Sequence, residues 1–421
     1  MGNLIIRNAH IKDGEAQKDI KIIDGKIVEI AARIQNDNNL EEIDAKGNAV
    51  LPTLIESHIH PDKAFLEDRK PNLSGTLEEA LKNTAELKKL YTYDDVKKRA
   101  EKVLRWSVLN GTTIMRAHPD VDPFEKTLGV EVLLDLKEKY KEVLDMQIVA
   151  FPQEGIIQSP GVLEMMEESI KMGADVVGGC PYSERTMEDT IKQLNIVFDL
   201  AEKYNLPIDM HADFGTNADD PQNTCIELIC DMTIERGYQG RVAIGHVTTL
   251  GSLDPEVAAP IFDKIAKADV SIVPLPVTDM FMTGRTERKN IPRGMAPVLS
   301  MMERGVNLAY SSNNIRNAFT PFGNADLIAV GYLLQVSQQM GSADQRRAVL
   351  DMVTYNAAKA IGVRDTYGIE VGKNADIVIY DCDDLSNLIN DQPLVRYVIK
   401  NGKIIVQNEL SRKMASVLMG D

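Results

Sequence analysis

Residues 51–66 read LPTLIESHIHPDKAFL. The segment is a short apolar run that ends in two histidines one residue apart, His58 and His60, followed by a Pro-Asp-Lys sequence. Alternate side chains of a β-strand point to the same face, so the two imidazoles can converge on one point. Such a pair is either part of a metal site or a pair of exposed loop histidines, and the motif alone leaves both interpretations open.

Seven more short apolar segments follow, and amphipathic stretches separate them. In one of these stretches, residues 187–205, the helical period places Ile191, Leu194, Val197, Phe198 and Ala201 on the inner face. Eight buried strands that alternate with helices predict a (β/α)8 TIM barrel over residues 52–362. The seven segments are TTIMRAH, MQIVAFP, ADVVGG, LPIDMH, RVAIGH, VSIVPLP and VNLAYSS.

The two ends of the chain share a different pattern, with short β-rich runs joined by tight turns. The first end contains NLIIRNAHIKDG, and the last contains VRYVIKNGKIIVQNE with a turn at Asn401-Gly402. These are hairpin signals. Their similarity predicts that residues 1–51 and 363–421 form one small β-sandwich domain built from both chain termini.

The composition is that of a soluble globular protein, with 421 residues, 44% apolar residues and a net charge of −16. The negative charge argues against a nucleic-acid partner and against an anionic membrane surface. The sequence contains no signal-peptide pattern and no apolar run long enough to span a bilayer, so a cytoplasmic location without a membrane partner is expected. The four cysteines form no C-x-x-C pair, which disfavours a zinc knuckle.

The histidines are distributed unevenly along the predicted barrel. Five of the six follow predicted strands directly, and only His10 lies in the β-rich end. Active sites of such barrels form at the C-terminal ends of the strands, from residues of several strands. The pattern therefore predicts a metal centre in which imidazoles are ligands. The five strand-end histidines are His58, His60, His118, His211 and His246.

Several motifs resemble those of a known family. His-x-His after the first strand, single histidines after the fifth and sixth strands, and a flanking β domain are marks of the amidohydrolase superfamily. Within it, AFPQEGI at 150–156, GADVVGG at 173–179 and RAHPDVD at 116–122 are similar to bacterial cytosine deaminases. The HPDK motif after the first strand and FTPFGNAD at 319–326 resemble the isopropylammelide-type triazine relatives.

The resemblance implies a metal-dependent hydrolase of non-peptide C–N bonds, which deaminates a small N-heterocycle or cyclic amidine with an activated water. One divalent metal ion, zinc or iron, is the implied cofactor, and a small heterocycle is the implied partner. His246 is implied beside the reacting water, where it steadies the hydroxide or the forming tetrahedral carbon. The implied metal ligands are His58, His60, His211 and Asn313, and the expected substrate-binding residues are Gln153, Lys63, Phe214 and Phe319. For Lys63 the sequence leaves a second interpretation open, a solvated surface lysine.

Three positions depart from the family pattern. Asn313 occupies the place of an aspartate that both ligates the metal and accepts a proton from water, and an amide cannot act as that base. Phe214 replaces the glutamate that cytosine deaminases use as a proton shuttle, and the neighbouring Asp213 is expected to point the other way. Ser312 replaces a histidine of the cytosine deaminases, as it does in the triazine relatives. No lysine ends the fourth strand, which predicts a mononuclear site.

The departures leave several interpretations open. The leading one is an active deaminase for which cytosine is a poor substrate, because Phe214 carries no proton. The alternatives are a catalytically impaired homologue that binds a small heterocycle, a cyclic amide hydrolase, and an engineered change at Asn313. The cytidine-type zinc deaminases are excluded, since H-x-E paired with P-C-x-x-C is absent from the sequence. Association of copies into a homo-oligomer also stays open.

Overall fold

The computed structural model describes residues 2–409, 411 and 413. Within these residues the chain forms sixteen β-strands and thirteen α-helices. None of the described helices combines the length and apolar character that crossing a bilayer requires. The strands are β1 (Leu4–Ala9), β2 (Lys18–Ile23), β3 (Lys26–Ala31), β4 (Glu41–Asp44), β5 (Val50–Pro52), β6 (Leu54–Ile59), β7 (Thr112–Ala117), β8 (Asp145–Ala150), β9 (Val176–Gly179), β10 (Ile208–Ala212), β11 (Val242–His246), β12 (Ser271–Val273), β13 (Asn307–Leu308), β14 (Ile377–Tyr380), β15 (Val395–Lys400) and β16 (Lys403–Gln407).

The helices lie mainly between the strands of the central sheet. They are α1 (Leu77–Lys88), α2 (Tyr93–Leu109), α3 (Leu128–Tyr140), α4 (Val162–Met172), α5 (Met187–Tyr204), α6 (Ile226–Glu235), α7 (Pro255–Lys267), α8 (Pro276–Met282), α9 (Val298–Glu303), α10 (Leu327–Ser337), α11 (Ala343–Asp351), α12 (Tyr355–Ala360) and α13 (Leu388–Asp391).

Strands β6 to β13 form one parallel sheet in which neighbours in sequence are neighbours in space. They match the eight apolar segments of the sequence, and most of their residues are buried. Parallel strands are covered by helices on the outside and packed on the inside, so both faces must be apolar. The predicted TIM barrel is confirmed.

The barrel closes through backbone contacts beyond the short last strand. Ile59 and Asn313 form an isolated parallel bridge. The Asn313 N–H donates to the carbonyl oxygen of His58 at 3.0 Å, and the His60 N–H donates to the carbonyl oxygen of Asn313 at 2.9 Å. The closure therefore fixes Asn313 beside the His-x-His motif.

The two chain ends meet in a small β domain, as predicted. Its sheets have the strand orders β3-β2-β1-β4 and β16-β15-β14-β5. Both sheets contribute to one apolar core, which includes Ile6 and Ile20 from the first and Ile377 and Ile399 from the second. The domain boundaries at 51/52 and 362/363 stay a prediction. Most of residues 410–421, which the prediction also assigns to this domain, lie outside the described residues.

Helix α5 shows where the helical pattern misled. The inner face is formed by Leu194, Val197, Phe198 and Ala201, all of which are buried. Ile191, however, is 40% exposed, so its predicted inner position is wrong. At 100° per residue Ile191 lies about 60° from Leu194 around the axis, on one flank of the apolar stripe. On the other flank Thr190 is buried, so the contact surface is shifted away from Ile191.

Candidate active site

Three imidazoles converge at the C-terminal end of the barrel. His58 is near the end of β6, His60 follows that strand, and His211 is on β10. One ring nitrogen of each lies within 4.8 Å of the others, and the Nε2 atoms of His58 and His211 face each other at 2.5 Å. All three side chains are buried. The structure brings these three histidines together, as their positions at the strand ends predict.

Polar groups behind the imidazoles orient two of them. The Nδ1 of His60 lies 2.7 Å from the carbonyl oxygen of His118, to which it can donate. The Nδ1 of His58 lies 3.4 Å from a carboxylate oxygen of Asp209, on β10. With Nδ1 protonated, each ring presents the lone pair of Nε2, which is the arrangement of histidines that bind metals.

His118, the fifth strand-end histidine, has a supporting position. Its ring stacks on that of His58 with a centroid distance of 3.7 Å, and its Nε2 lies 3.1 Å from Asp209. It does not line the pocket described below. His10, as expected, lies far from the site in the β domain, where its Nδ1 contacts the carbonyl oxygen of Asp383.

Burial keeps the three convergent imidazoles neutral. Removal from water lowers the pKa of His58 to about 3 and holds the pKa of His60 and of His211 well below the usual range. The neighbouring imidazoles act in the same direction. Metals bind the neutral imidazole, so the three rings can bind an ion at neutral pH without first losing a proton.

Asn313 lies beside the three imidazoles. Its side chain is 1% exposed and lines the pocket with His60 and His211. Among the described residues its Oδ1 has no hydrogen-bond partner. A buried amide oxygen without a partner is costly, and an ion would satisfy it. Three imidazole nitrogens and one neutral oxygen fit a borderline divalent ion such as zinc or iron.

His246 belongs to a second pair of groups at the pocket wall. Its Nδ1 lies 2.6 Å from a carboxylate oxygen of Asp279, on α8, and the other oxygen of that carboxylate accepts the N–H of Leu275 at 2.9 Å. Both side chains are buried. Asp279 thus fixes the His246 ring with Nδ1 protonated, which leaves Nε2 as an acceptor. Asp279 was not singled out from the sequence, where its one signal is a lone carboxylate in the apolar run VSIVPLPVTDMFM.

Lys63 and Gln153 form the polar wall of the pocket. Lys63 is 1% exposed, so it is not a solvated surface lysine. Its ammonium pairs with Asp120 at 2.9 Å and donates to Oε1 of Gln153 at 3.1 Å. The ammonium also contacts the second oxygen of Asp120 at 3.1 Å, so its three N–H groups already have acceptors. The Gln153 Nε2 lies 3.8 Å from Sγ of Cys180, which leaves one amide N–H for a ligand.

Aromatic side chains also line the pocket. Phe214 packs edge-to-face on His246 with a centroid distance of 4.7 Å, and Phe319 lies 5.3 Å from the Lys63 ammonium. Tyr182, which sequence reasoning missed, also lines the pocket, and its hydroxyl lies 3.4 Å from Nδ1 of His211.

Two other residues considered in the sequence analysis, Asp213 and Ser312, lie away from the pocket. Asp213 accepts the N–H groups of Cys225 and Ile226 at 2.7 and 3.1 Å, so it faces helix α6 as expected. Burial raises the pKa of Asp213 to about 7. Ser312 donates its backbone N–H to Glu56 and lines a different cavity.

Comparison with known proteins agrees with this geometry. The sequence profile described as the amidohydrolase family matches residues 66–406. N-isopropylammelide isopropyl amidohydrolase of Pseudomonas sp. (strain ADP) is 33% identical over 419 residues, which cover 97% of this chain and 98% of that protein. Pterin deaminase of Rhizobium rhizogenes (strain K84 / ATCC BAA-868) is 27% identical, with 93% of this chain and 89% of that protein covered.

A solved structure shows the same likeness in three dimensions. The crystal structure of 5-methylcytosine deaminase from Klebsiella pneumoniae liganded with 5-fluorocytosine superimposes with a TM-score of 0.93 at 29% sequence identity. The match covers 98% of this chain and 100% of that one. Together these matches confirm the resemblance predicted from the motifs.

Proposed function

Since this chain belongs to the amidohydrolase family, we propose that it uses one divalent metal ion to remove an amino group hydrolytically from a small, oxo-substituted nitrogen heterocycle. The observation that supports this best is one pocket in which neutral buried imidazoles face the polar wall of Lys63 and Gln153. The relatives described above are named for triazine, pterin and methylcytosine substrates, which are all small nitrogen heterocycles.

The proposed ligands are His58, His60, His211 and the Oδ1 of Asn313. Zinc and iron are the candidate ions, because imidazole suits both. When bound, such an ion lowers the pKa of a water molecule to about 7 and so supplies a nucleophile at neutral pH. The site is proposed to be mononuclear, because Cys180 follows strand β9 where a lysine would be needed to bridge two metal ions.

Proton transfer is assigned to His246. Deamination requires that one proton leave the attacking water and that one reach the departing amine. Asn313 cannot accept a proton at neutral pH. The Nε2 of His246 can, because Asp279 holds the Nδ1 proton and stabilises the imidazolium that forms. The same ring can then donate to the leaving amine, which is the dual role of histidine in general acid–base catalysis.

The pocket walls indicate the substrate class. The Gln153 amide offers an N–H donor, which matches a ring carbonyl oxygen, and the Lys63 ammonium places a positive charge beside it. Phe319 and Phe214 offer flat apolar surface for the ring. Because Phe214 supplies no proton to a ring nitrogen, we expect an oxo-triazine or another electron-poor ring to react faster than cytosine.

A second candidate function is a homologue that binds the heterocycle but turns it over slowly. Asn313 is the observation that favours it, since losing one positioned base typically costs about 10²–10⁴ in rate. A cyclic amide hydrolase is a further alternative, because the same nucleophile and the same donors would serve a ring-opening C–N cleavage.

The test is a screen for ammonia release, with purified protein loaded with zinc or with iron, over aminated oxo-triazines, pyrimidines and pterins. His60→Asn should abolish turnover, and His10→Asn, a histidine change outside the barrel, should leave it unchanged. Turnover near the ordinary value of about 10 s⁻¹ on one ring class would support the deaminase. Binding without turnover would favour the impaired homologue, and turnover that survives His60→Asn would refute the site.

A further inference from the structure

A group of buried carboxylates lies behind the polar wall, where the loops after β6 and β7 meet. The group comprises Asp62, Asp120, Asp122 and Glu125, none of them more than 5% exposed, and is called the acidic cluster below. Two ammonium groups reach it. Lys88 contacts Asp120 at 2.6 Å and Asp122 at 2.5 Å, and Lys63 contacts Asp120 at 2.9 Å.

The charges of the acidic cluster do not balance. Four carboxylates meet two ammonium groups, and both ammoniums bind Asp120 or Asp122. Arg99 lies nearby, but its guanidinium donates to the carbonyl oxygens of Asp62 and Ala64 and pairs with the carboxylate of Asp95. Asp62 and Glu125 are therefore left without a cation, and an uncompensated buried charge is strongly destabilising.

The same two carboxylates have unused oxygen atoms. In the part of the chain that the structure describes, neither carboxylate oxygen of Glu125 has a hydrogen-bond partner, although the residue is only 5% exposed. Oδ1 of Asp62 also lacks one, as does the nearby hydroxyl of Tyr91. Buried polar atoms in proteins almost always have a hydrogen-bond partner or a ligand. The oxygen atoms of Asp62 and Glu125 are therefore candidates for binding an ion.

The spacing of the oxygen atoms suits a hard cation. One carboxylate oxygen each from Asp62, Asp120 and Glu125 lies within 4.8 Å of the others. Calcium binds oxygen at about 2.3–2.6 Å, so ligands on opposite sides of the ion are about 5 Å apart. Oxygen donors without nitrogen or sulfur select calcium, magnesium or manganese over zinc.

We propose that Asp62, Asp120 and Glu125 form a second cation site, for a hard divalent ion such as calcium or manganese. The two positive charges of the ion would match the two unbalanced carboxylates. Asp62 follows His60 by two residues, and Asp120 contacts Lys63, so the ion would tie the β6 and β7 loops together and hold Lys63 in the pocket wall. This proposal does not depend on the reaction proposed above.

Protonation is the competing way to neutralise the acidic cluster. Burial and the charge of Asp120 raise the pKa of Asp62 to about 6, and burial and the charge of Asp62 raise the pKa of Glu125 well above its usual range. Asp62 and Glu125 would then hold protons instead of sharing an ion. The two descriptions differ in whether a metal binds.

The experiment is a titration of the full-length, zinc-loaded protein with Mn²⁺ alone, with free Mn²⁺ followed by electron paramagnetic resonance. Zinc stays at the imidazoles, since nitrogen ligands prefer it to manganese. We expect one Mn²⁺ per chain with a dissociation constant at or below about 1 mM, the weak end for protein oxygen sites. Glu125→Gln should weaken binding by about tenfold or more, as losing one charged ligand does.

The matched control is Glu131→Gln, an exposed carboxylate on the following helix, which should leave Mn²⁺ binding unchanged. Asp62→Asn is the second test variant if Glu125→Gln does not fold, and it should weaken binding to a similar degree. Binding that is absent up to about 1 mM, or equal in wild type and both test variants, would overturn the proposal in favour of protonated carboxylates. Because the readout is Mn²⁺ binding, failure here leaves the deaminase proposal untouched.

Discussion

Replacing Asn313 by aspartate restores a charge and a proton acceptor at the centre of the proposed site. The two side chains have nearly the same shape, and the closure of the barrel fixes the backbone of Asn313 between His58 and His60. The Oδ1 is buried and has no hydrogen-bond partner among the described residues, so a carboxylate oxygen would take its place without displacing a contact. Asn313→Asp therefore changes the charge and the proton-accepting ability of the side chain but not its shape.

The expected gain follows from the groups already present. One positioned general base is worth about 10²–10⁴ in rate, or about 2.7–5.5 kcal/mol of activation free energy. His246, oriented by Asp279 at 2.6 Å, already offers a proton acceptor. We therefore expect turnover by Asn313→Asp to rise by about 10²-fold, the lower end of that range. The bound ion should also be retained longer against a chelator, because a carboxylate attracts a divalent cation more strongly than an amide does.

The assay is steady-state ammonia release by metal-loaded protein, together with metal loss during timed exposure to a chelator. Asn314→Asp is the matched control, since it adds the same charge one residue further on and should give neither gain. If native protein is already fast and Asn313→Asp is no faster, His246 is a sufficient base and Asn313 is not a lesion. If both aspartate variants gain equally, the reasoning about position is wrong.

Three further predictions follow from the contacts. Asp279→Asn should lower kcat by about 10²–10⁴ with KM changed only a few-fold, because the amide no longer stabilises the protonated ring of His246; steady-state kinetics measure this. Lys63→Met should raise KM at least about tenfold and lower the free energy of unfolding by about 3 kcal/mol, since Asp120 loses a buried ion-pair partner; kinetics and urea unfolding measure these. In metal-free protein the pKa of His58 is lowered to about 3, so between pH 6.5 and 3 His58 is protonated in the unfolded chain but not in the folded one. The contribution of the neutral His58 ring to the unfolding free energy is therefore present above pH 6.5 and falls on acidification. The unfolding free energy of His58→Gln should accordingly depend less on pH, by up to about 1.4 kcal/mol per pH unit, in urea titrations between pH 7 and 5.

The barrel and the metal-ligand candidates could be predicted because their signals are local. Each strand is a short apolar run, and the C-terminal end of each run is visible in the sequence. His58, His60 and His211 then meet because the parallel topology brings these ends to one rim. The departure at Asn313 was visible because the family resemblance places an aspartate after the last apolar run.

The supporting residues could not be predicted because their partners are distant in sequence. Asp209 lies 151 positions after His58, and Asp279 lies 33 positions after His246. The sequence left Lys63 open between a substrate contact and a solvated surface lysine, because its partner Asp120 lies 57 positions later in the chain. A charged residue is buried only when a partner arrives, and the partner is set by the fold.

The central claim is that one ion is held by three imidazoles, and anomalous diffraction at the zinc and iron absorption edges tests it most directly. The prediction is a single peak, within about 2.0–2.2 Å of the Nε2 atoms of His58, His60 and His211 if the ion is zinc. Two bridged peaks at that place, or histidines turned away from one another with the metal elsewhere, would contradict the claim.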